Sequence, residues 1–435
     1  MPSVLLLLAT SLASPPDVEV ERPYLQEALE VAKWLRSVEV RTEAGKTWPA
    51  APRDSGASGP YLYSGYAGVV LFFLELGRAT GDAQWTEDAK LGADAIIASL
   101  PANTSQVDSG LYTGIAGLGF VLEEVFQTTQ DPKYRRASRR CVGLISEAAK
   151  KVGAGVEWNE VTDIIRGSAG TGLFLLYARE RMNDDELLEL AAKAGHRLVE
   201  LGKKEHGGLS WSMSRSYTPS MPNFSHGTAG ICYFLATLYQ ETGEPVFLDA
   251  ALEGVKYLDA IAKKDEGYLV FHHAPEGEDL FYLGWCHGPT GTGRLFHRLW
   301  AITKEQTHRD RLMAGAKSVS ESGIPDKLTP GFWNNVSQCC GTAGVAAYFV
   351  ELHKVSGDEA HLAFAEKMTQ NLLSRSTRAE HGQYWVQAEH RVRPELLQAQ
   401  TGYMQGAAGI GLLLLQWDAF ERDRDFPLRF PDSPF

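Results

Sequence analysis

Five cysteines among 435 residues are too few to hold a chain of this length together by disulfides. Three of them stand in two short motifs; the other two, Cys141 and Cys232, lie in apolar stretches where a thiol serves as a small buried hydrophobe. Positive charge is scarce too: 42 Lys and Arg face 54 Asp and Glu, a formal net charge of −12. Nucleic acid and anionic lipid are bound by clustered cations, so neither is expected as a partner. No apolar run reaches the roughly 18 residues of a membrane helix, which argues against a membrane protein. With 44% hydrophobic and 22% charged residues, the composition is that of a globular chain with ample core.

The opening "MPSVLLLLATSLASPP" contains a short apolar run, Val4 to Ala9, followed by Ser11-Leu12-Ala13, a small-residue pattern like a signal cleavage site. No Lys or Arg precedes it. Residues 1–20 are therefore read as a signal-like or frayed segment, 21–420 as the folded body and 421–435 as a C-terminal tail, with cytoplasmic and exported locations both open. Export would oblige the thiols to survive oxidising conditions.

A Gly-x-x-Gly core recurs seven times, with first glycines at 65, 114, 167, 227, 288, 341 and 406. The spacing is 49 to 65 residues, and the residue before the second glycine is Ala in six copies and Thr290 in the other. Each core opens an almost wholly apolar run such as "VVLFFLEL" or "ICYFLATLY", the mark of a helix buried on all sides. Amphipathic segments lie between, as from Pro245 to Lys263, where Leu248, Leu252, Val255 and Leu258 share a stripe. One buried and one amphipathic helix per repeat predict an all-α fold, a toroid of seven helical hairpins with an inner and an outer ring. Closure is favoured because an open array needs polar capping repeats, and the terminal cores are as glycine-rich as the middle ones. The glycines are read as packing and turn residues, chosen for close backbone approach and for dihedral freedom.

Function must then reside in what varies within this frame. Just before the first glycine stand Ser64, Thr113, Arg166, His226, His287, Cys340 and Gln405; one residue earlier stand Tyr63, Tyr112, Ile165, Ser225, Cys286, Cys339 and Met404. Cys286 and Cys339 therefore occupy the same position in adjacent repeats, and Cys340 adds a third sulfur. Three thiolates with one open position suit a catalytic zinc better than magnesium or calcium; buried free thiols or a disulfide are the alternatives. Helix N-termini aimed at the sulfurs would favour their thiolate forms. A metal there can activate a thiol or a water as nucleophile. His226, in the neighbouring repeat, is the candidate to move a proton, and His287 is a second candidate, as shuttle or as support. Asp163, four residues before a first glycine, could orient His226; an exposed loop carboxylate is the plainer reading. Trp285 either walls the pocket or packs.

Seven such cores over roughly residues 60 to 415, with "WCHG" followed by "CCG", resemble the lanthionine synthetase C-like proteins. The resemblance implies a seven-hairpin α/α toroid with Zn2+ held by Cys286, Cys339 and Cys340, His226 as acid/base and Asp163 as its partner. It implies addition of a zinc-activated thiol to a dehydroalanine or dehydrobutyrine, forming a thioether. The partners would be a dehydrated peptide or protein, a small-molecule thiol, or both. Many members have Cys-His-Gly where this chain has Cys339-Cys340-Gly341, so an all-cysteine site resembles one branch of cyclases and should make a bound thiolate more electron-rich. Many peptide cyclases carry an arginine where this chain has Tyr282, which turns the comparison toward the eukaryotic, thiol-conjugating members. A non-catalytic zinc protein that holds a thiol or peptide is the alternative from another class. A helical toroid acting on carbohydrate or isoprenoid rests on fold analogy alone, since of the paired acids a carbohydrate enzyme needs only Asp163 stands out.

Overall fold

The computed structural model of the chain describes residues 21–52, 59–265 and 267–435, so the signal-like segment lies outside the described residues. The first helix, α1 (Pro23–Ser37), leads into a ribbon of β1 (Val40–Thr42) and β2 (Gly45–Thr47). Six helical hairpins follow. They are α2 (Tyr66–Thr80) with α3 (Ala83–Ser99), α4 (Ile115–Thr129) with α5 (Pro132–Ala148), and α6 (Ser168–Met182) with α7 (Glu186–Leu201). Then come α8 (Thr228–Thr242) with α9 (Pro245–Ile261), α10 (Pro289–Thr303) with α11 (Gln306–Ser320), and α12 (Thr342–Ser356) with α13 (Glu359–Ser374). Helix α14 (Ala407–Glu421) ends the series.

Each even-numbered helix starts on the residue after a first glycine and is buried nearly all round through its first three turns, as the apolar runs predict. These seven inner helices touch in chain order, and α14 packs on α2, so the ring closes. The seventh hairpin is completed across the termini, because α14 has no helix after it and takes α1 as its outer partner. Tyr24 stacks on Trp417 at 5.3 Å, and Arg22 Nε donates to the buried Asp418 at 2.8 Å. Closure thus joins residues nearly 400 positions apart in sequence.

A feature outside the predicted helical pattern is a set of three-residue ribbons after outer helices: β3 (Lys150–Val152) with β4 (Gly155–Glu157), β5 (Lys203–Glu205) with β6 (Gly208–Ser210), and β7 (Thr377–Ala379) with β8 (Gly382–Tyr384). Shortly after each of these, and after β1 and β2, comes a tryptophan: Trp48, Trp158, Trp211 and Trp385. Its indole N–H donates to the carbonyl thirteen residues back, in the last turn of the preceding outer helix, at 2.7 to 2.9 Å. The carbonyls of Leu35 and Leu372 also accept the N–H of the residue that ends their helix, and at all four sites the indole adds a donor to a last-turn carbonyl, as a C-terminal cap does. A further ribbon, β9 (Val386–Ala388) with β10 (Leu397–Ala399), stands at the mouth of the ring.

Seven backbone hydrogen bonds link the loops at the mouth into a closed girdle. Tyr63 N–H donates to Tyr112, Tyr112 to Ile165, Ile164 to Ser225, Ser225 to Cys286, Cys286 to Cys339, Cys339 to Met404 and Met404 back to Tyr63, at 2.8 to 3.2 Å. The positions equivalent in sequence are therefore neighbours in space. Close approach, not dihedral freedom, is why the glycines are there. None of the fourteen core glycines has positive φ, whereas a Cβ on Gly117, Gly170, Gly230, Gly291, Gly344 or Gly409 would lie 1.9 to 2.1 Å from the carbonyl oxygen six residues upstream. Gly344→Ala, which would drive its methyl against the Gln338 carbonyl at 2.0 Å, should lower stability by about 3 kcal/mol. Urea unfolding checks this, and an unchanged midpoint would show that the loop yields freely.

The C-terminal segment 422–435 enters the centre of the ring below the girdle. Asp432 is fully buried, accepts from Tyr112 Oη at 3.0 Å and pairs with Arg294 at 3.3 Å. Phe430 stacks on Tyr403 at 4.4 Å, and Phe435 packs on His297 and Tyr348. Among the described residues no helix is long and apolar enough to cross a membrane.

Candidate active site

The girdle determines where the sulfurs go. Cys286 and Cys339 follow one another along it, each two residues ahead of a first glycine, so their side chains project to a common point beside that of Cys340. The three Sγ atoms lie within 4.8 Å of one another, with Cys286 and Cys340 2.8 Å apart and Cys340 and Cys339 3.4 Å apart. A disulfide would need about 2.05 Å; all five cysteines are free, and Cys141 and Cys232 are fully buried in the core. Zinc–sulfur bonds of about 2.3 Å at tetrahedral angles put sulfurs about 3.8 Å apart. Cys286 and Cys340, at 2.8 Å, stand closer than that and would part by about 1 Å around an ion; the all-sulfur donor set fits zinc in chemistry.

Negative charge settles on Cys339. Its interactions with Cys286, Cys340 and Tyr63 together hold its thiol well below the usual 9; Cys340 and Tyr63 donate to it at 3.4 and 3.1 Å. Cys286 is pushed up mainly by burial, and Cys340 mainly by its hydrogen bonds to Cys286 and Cys339. Tyr63 Oη donates to Cys339 Sγ at 3.1 Å and accepts from Gln405 Nε2 at 2.9 Å. Burial and the neighbouring sulfurs push that phenol well above 10, so it remains a donor.

His226 and Asp163, from adjacent repeats, meet: Nδ1 lies 2.6 Å from Oδ2. Asp163 is 1% exposed, which rules out the solvated loop carboxylate. Its other oxygen accepts the backbone N–H groups of Arg166 and Gly167 at 2.8 and 2.9 Å. A carboxylate so held is an acceptor, so Nδ1 carries the hydrogen and Nε2 is left free. Burial alone would pull the imidazole down, but the hydrogen bond and charge of Asp163, with Cys339, outweigh it and raise His226 above 6.5.

His287 is buried beside them, its ring 5.5 Å from that of His226 and stacked on His272 at 4.0 Å. Burial, then the neighbouring imidazoles, hold it well below 6.5, and neither ring nitrogen has a partner. The sulfurs, His226 and His287 open on one cavity of about 230 Å³, also lined by Tyr282, Trp333 and Arg391. Trp285 is not in that wall; it packs edge-on between Tyr112 and Phe224. A larger cavity of about 510 Å³ lies at the other end of the inner helices, against the C-terminal segment, and among the described residues no cysteine or histidine lines it.

His272, Trp333 and Arg391 were not found from sequence because they come from irregular loops outside the repeat frame. His272, drawn down to about 4 by burial, His273 and Arg391, sits between α9 and α10 with no periodicity to mark it. Tyr63 and Gln405 are in the frame, but only the contact of Tyr63 with Cys339, and of Gln405 with Tyr63, distinguishes them from the residues at their equivalent positions.

Comparison with known proteins agrees with this geometry. The model of the lanthionine synthetase C-like protein family matches residues 57–430. Glutathione S-transferase LANCL1 of Danio rerio is 22% identical over 324 residues, covering 72% of this chain and 73% of its own. Nisin cyclase shares the fold at a TM-score of 0.65 and 17% identity, over 93% of this chain and 96% of its own. A GH76 α-mannanase of Bacteroides thetaiotaomicron has a related helical ring, at a TM-score of 0.52 and 11% identity over 92% and 96% of the chains. The mannanase shares architecture alone, whereas the family model spans nearly every repeat that builds the girdle: the chain belongs to the lanthionine synthetase C-like family.

Proposed function

We propose that this protein adds a thiol to a dehydroamino acid in a peptide or protein, forming a thioether, with zinc as its cofactor. The observation that carries the reading is the convergence of Cys286, Cys339 and Cys340 on one point of a cavity that His226 also faces. A zinc ion held by the three sulfurs supplies the Lewis acidity that lets a thiol lose its proton near neutral pH.

The chain's own residues do the rest. Asp163 fixes the imidazole with Nε2 toward the cavity, and that nitrogen takes the thiol proton and later returns it to the α carbon of the acceptor. Tyr63 steadies Cys339. The walls from Trp333 and Tyr282 limit water around the reacting atoms. The named activities of the relatives, glutathione transfer and nisin cyclisation, mark two forms of this chemistry, with the thiol from a small molecule or from the peptide itself. Tyr282, in place of the arginine of many peptide cyclases, favours the small-molecule form.

The test supplies glutathione and a dehydroalanine peptide to the zinc-loaded protein and follows adduct by mass spectrometry. His226→Ala should lower the rate at least about 100-fold. Equal rates in the two proteins would reject the assignment, and thiol binding without turnover in the wild type would make the protein a binder.

A further inference from the structure

Addition of sulfur to a dehydroamino acid moves charge to a place that neither the sulfurs nor His226 occupies. The sulfur bonds to the β carbon, the π pair shifts toward the α carbon, and the adjoining carbonyl oxygen becomes an enolate oxygen. The proton that His226 took from the thiol then goes to the α carbon and the carbonyl re-forms, with nothing oxidised or reduced. An oxygen that gains charge in a buried site needs preformed donors, and such donors are among the largest contributions to catalysis.

Two buried groups on the cavity wall have hydrogen-bonding capacity that the protein leaves unused. Ser225 is fully buried, yet its Oγ has no partner. His287 is 7% exposed, with no partner on either ring nitrogen. A buried polar atom left unpaired costs about 1–3 kcal/mol, and most such atoms in native proteins have a partner in protein, water or ligand. Their placement is not random. In the girdle Ser225 precedes Cys286 as Cys286 precedes Cys339, its N–H donating to the Cys286 carbonyl at 3.0 Å. It therefore occupies the repeat position of the two sulfurs, one step further round the ring. His287 follows Cys286 directly, its ring 5.5 Å from that of His226. Ser225, His226 and His287 all line the cavity that holds the three sulfurs.

We propose that Ser225 and His287 bind the acceptor's carbonyl oxygen, donating hydrogen bonds to it as it takes up negative charge. The inference rests on the thiol-addition reading and names the amide next to the dehydroamino acid as what the site recognises. It does not depend on the protonation of His287, since an imidazole keeps at least one N–H in either state. Both residues are catalytic in the strict sense, because they touch the reacting group.

The experiment compares Ser225→Ala, His287→Phe and His287→Gln with wild type, all zinc-loaded, using glutathione and a dehydroalanine peptide. A second measurement, by calorimetry, follows binding of the same peptide with alanine in place of dehydroalanine, which keeps the carbonyl but cannot react. Metal content, melting temperature and glutathione binding should match wild type. His287→Phe should lose about 100-fold in kcat, Ser225→Ala about 10-fold, and His287→Gln, which retains an N–H, should recover part of the loss. The alanine peptide should bind more weakly to His287→Phe and Ser225→Ala. Undiminished kcat and unchanged peptide binding in both would overturn this assignment while leaving thiol addition intact. Absence of addition by the wild type would overturn both.

Discussion

Cys339→Ala is expected to abolish stable metal binding and leave the fold standing. Mass spectrometry of wild type purified with zinc should find about one ion per chain, the stoichiometry of a single three-sulfur site. The variant should retain almost none after mild chelation, and thioether formation should fall to background. Cys339 is one of the three sulfurs of the cluster and accepts from Cys340 at 3.4 Å and from Tyr63 at 3.1 Å. Its place in the girdle is made by backbone, Cys286 N–H to the Cys339 carbonyl and Cys339 N–H to that of Met404, both 3.1 Å. Alanine keeps both bonds, so the melting temperature of the metal-free variant should stay near that of metal-free wild type. Cys141→Ala and Cys232→Ala, at thiols outside the cluster, should retain the ion. Full metal occupancy in Cys339→Ala would remove the basis of the proposed chemistry.

Asp163→Asn is expected to cost about 10³-fold in rate with little structural change, on the precedent that exchanging a histidine's carboxylate partner for an amide traps the wrong tautomer. Asparagine keeps an oxygen for the N–H groups of Arg166 and Gly167, so the loop should hold. Its amide N–H would face His226 Nδ1 and make that nitrogen an acceptor, placing the hydrogen on Nε2, where the mechanism needs a free base. The pH profile should move as well. Burial depresses His226, and the Asp163 interaction is what raises it above 6.5; without it, the limb governed by this imidazole should shift to lower pH. The same linkage acts on stability. A group whose folded pKa is raised contributes fully below its unfolded value, near 6.5, and loses that contribution as pH rises through the folded value. Wild type should therefore lose part of its advantage over Asp163→Asn between acid and alkaline pH. A variant with unaltered rate and profile would reduce Asp163 to a loop residue.

The related ring in the mannanase shows how little the scaffold says about chemistry. Glycoside hydrolysis generally needs two carboxyl groups flanking the bond to be cut. Among the described residues, Glu389 is the sole acid in the lining of this cavity, with Asp163 committed behind His226. What sets the chain apart is the side chains placed on the girdle.

How much of this was legible before folding differs by element. The seven inner helices were readable because a helix buried on all sides writes itself as an uninterrupted apolar run, and the core glycines because no side chain fits against the carbonyl six residues back. Equivalence of Cys286 and Cys339 followed from counting within the repeat. The capping tryptophans escaped notice although their spacing is constant, because the hydrogen bond that gives the spacing meaning runs to a backbone carbonyl that carries no residue identity.

By itself the sequence determined the ring, its inner and outer helices and the residues that face its mouth, since periodic burial and repeat register are local properties of the chain. Tertiary structure alone decided that α1 completes the hairpin of α14, that the C-terminal segment fills the centre, that Asp163 reaches His226, and that His272, Trp333 and Arg391 wall the cavity. Each of these joins residues far apart in the chain or from irregular loops, where no period fixes the separation and only closure of the ring brings the partners into contact.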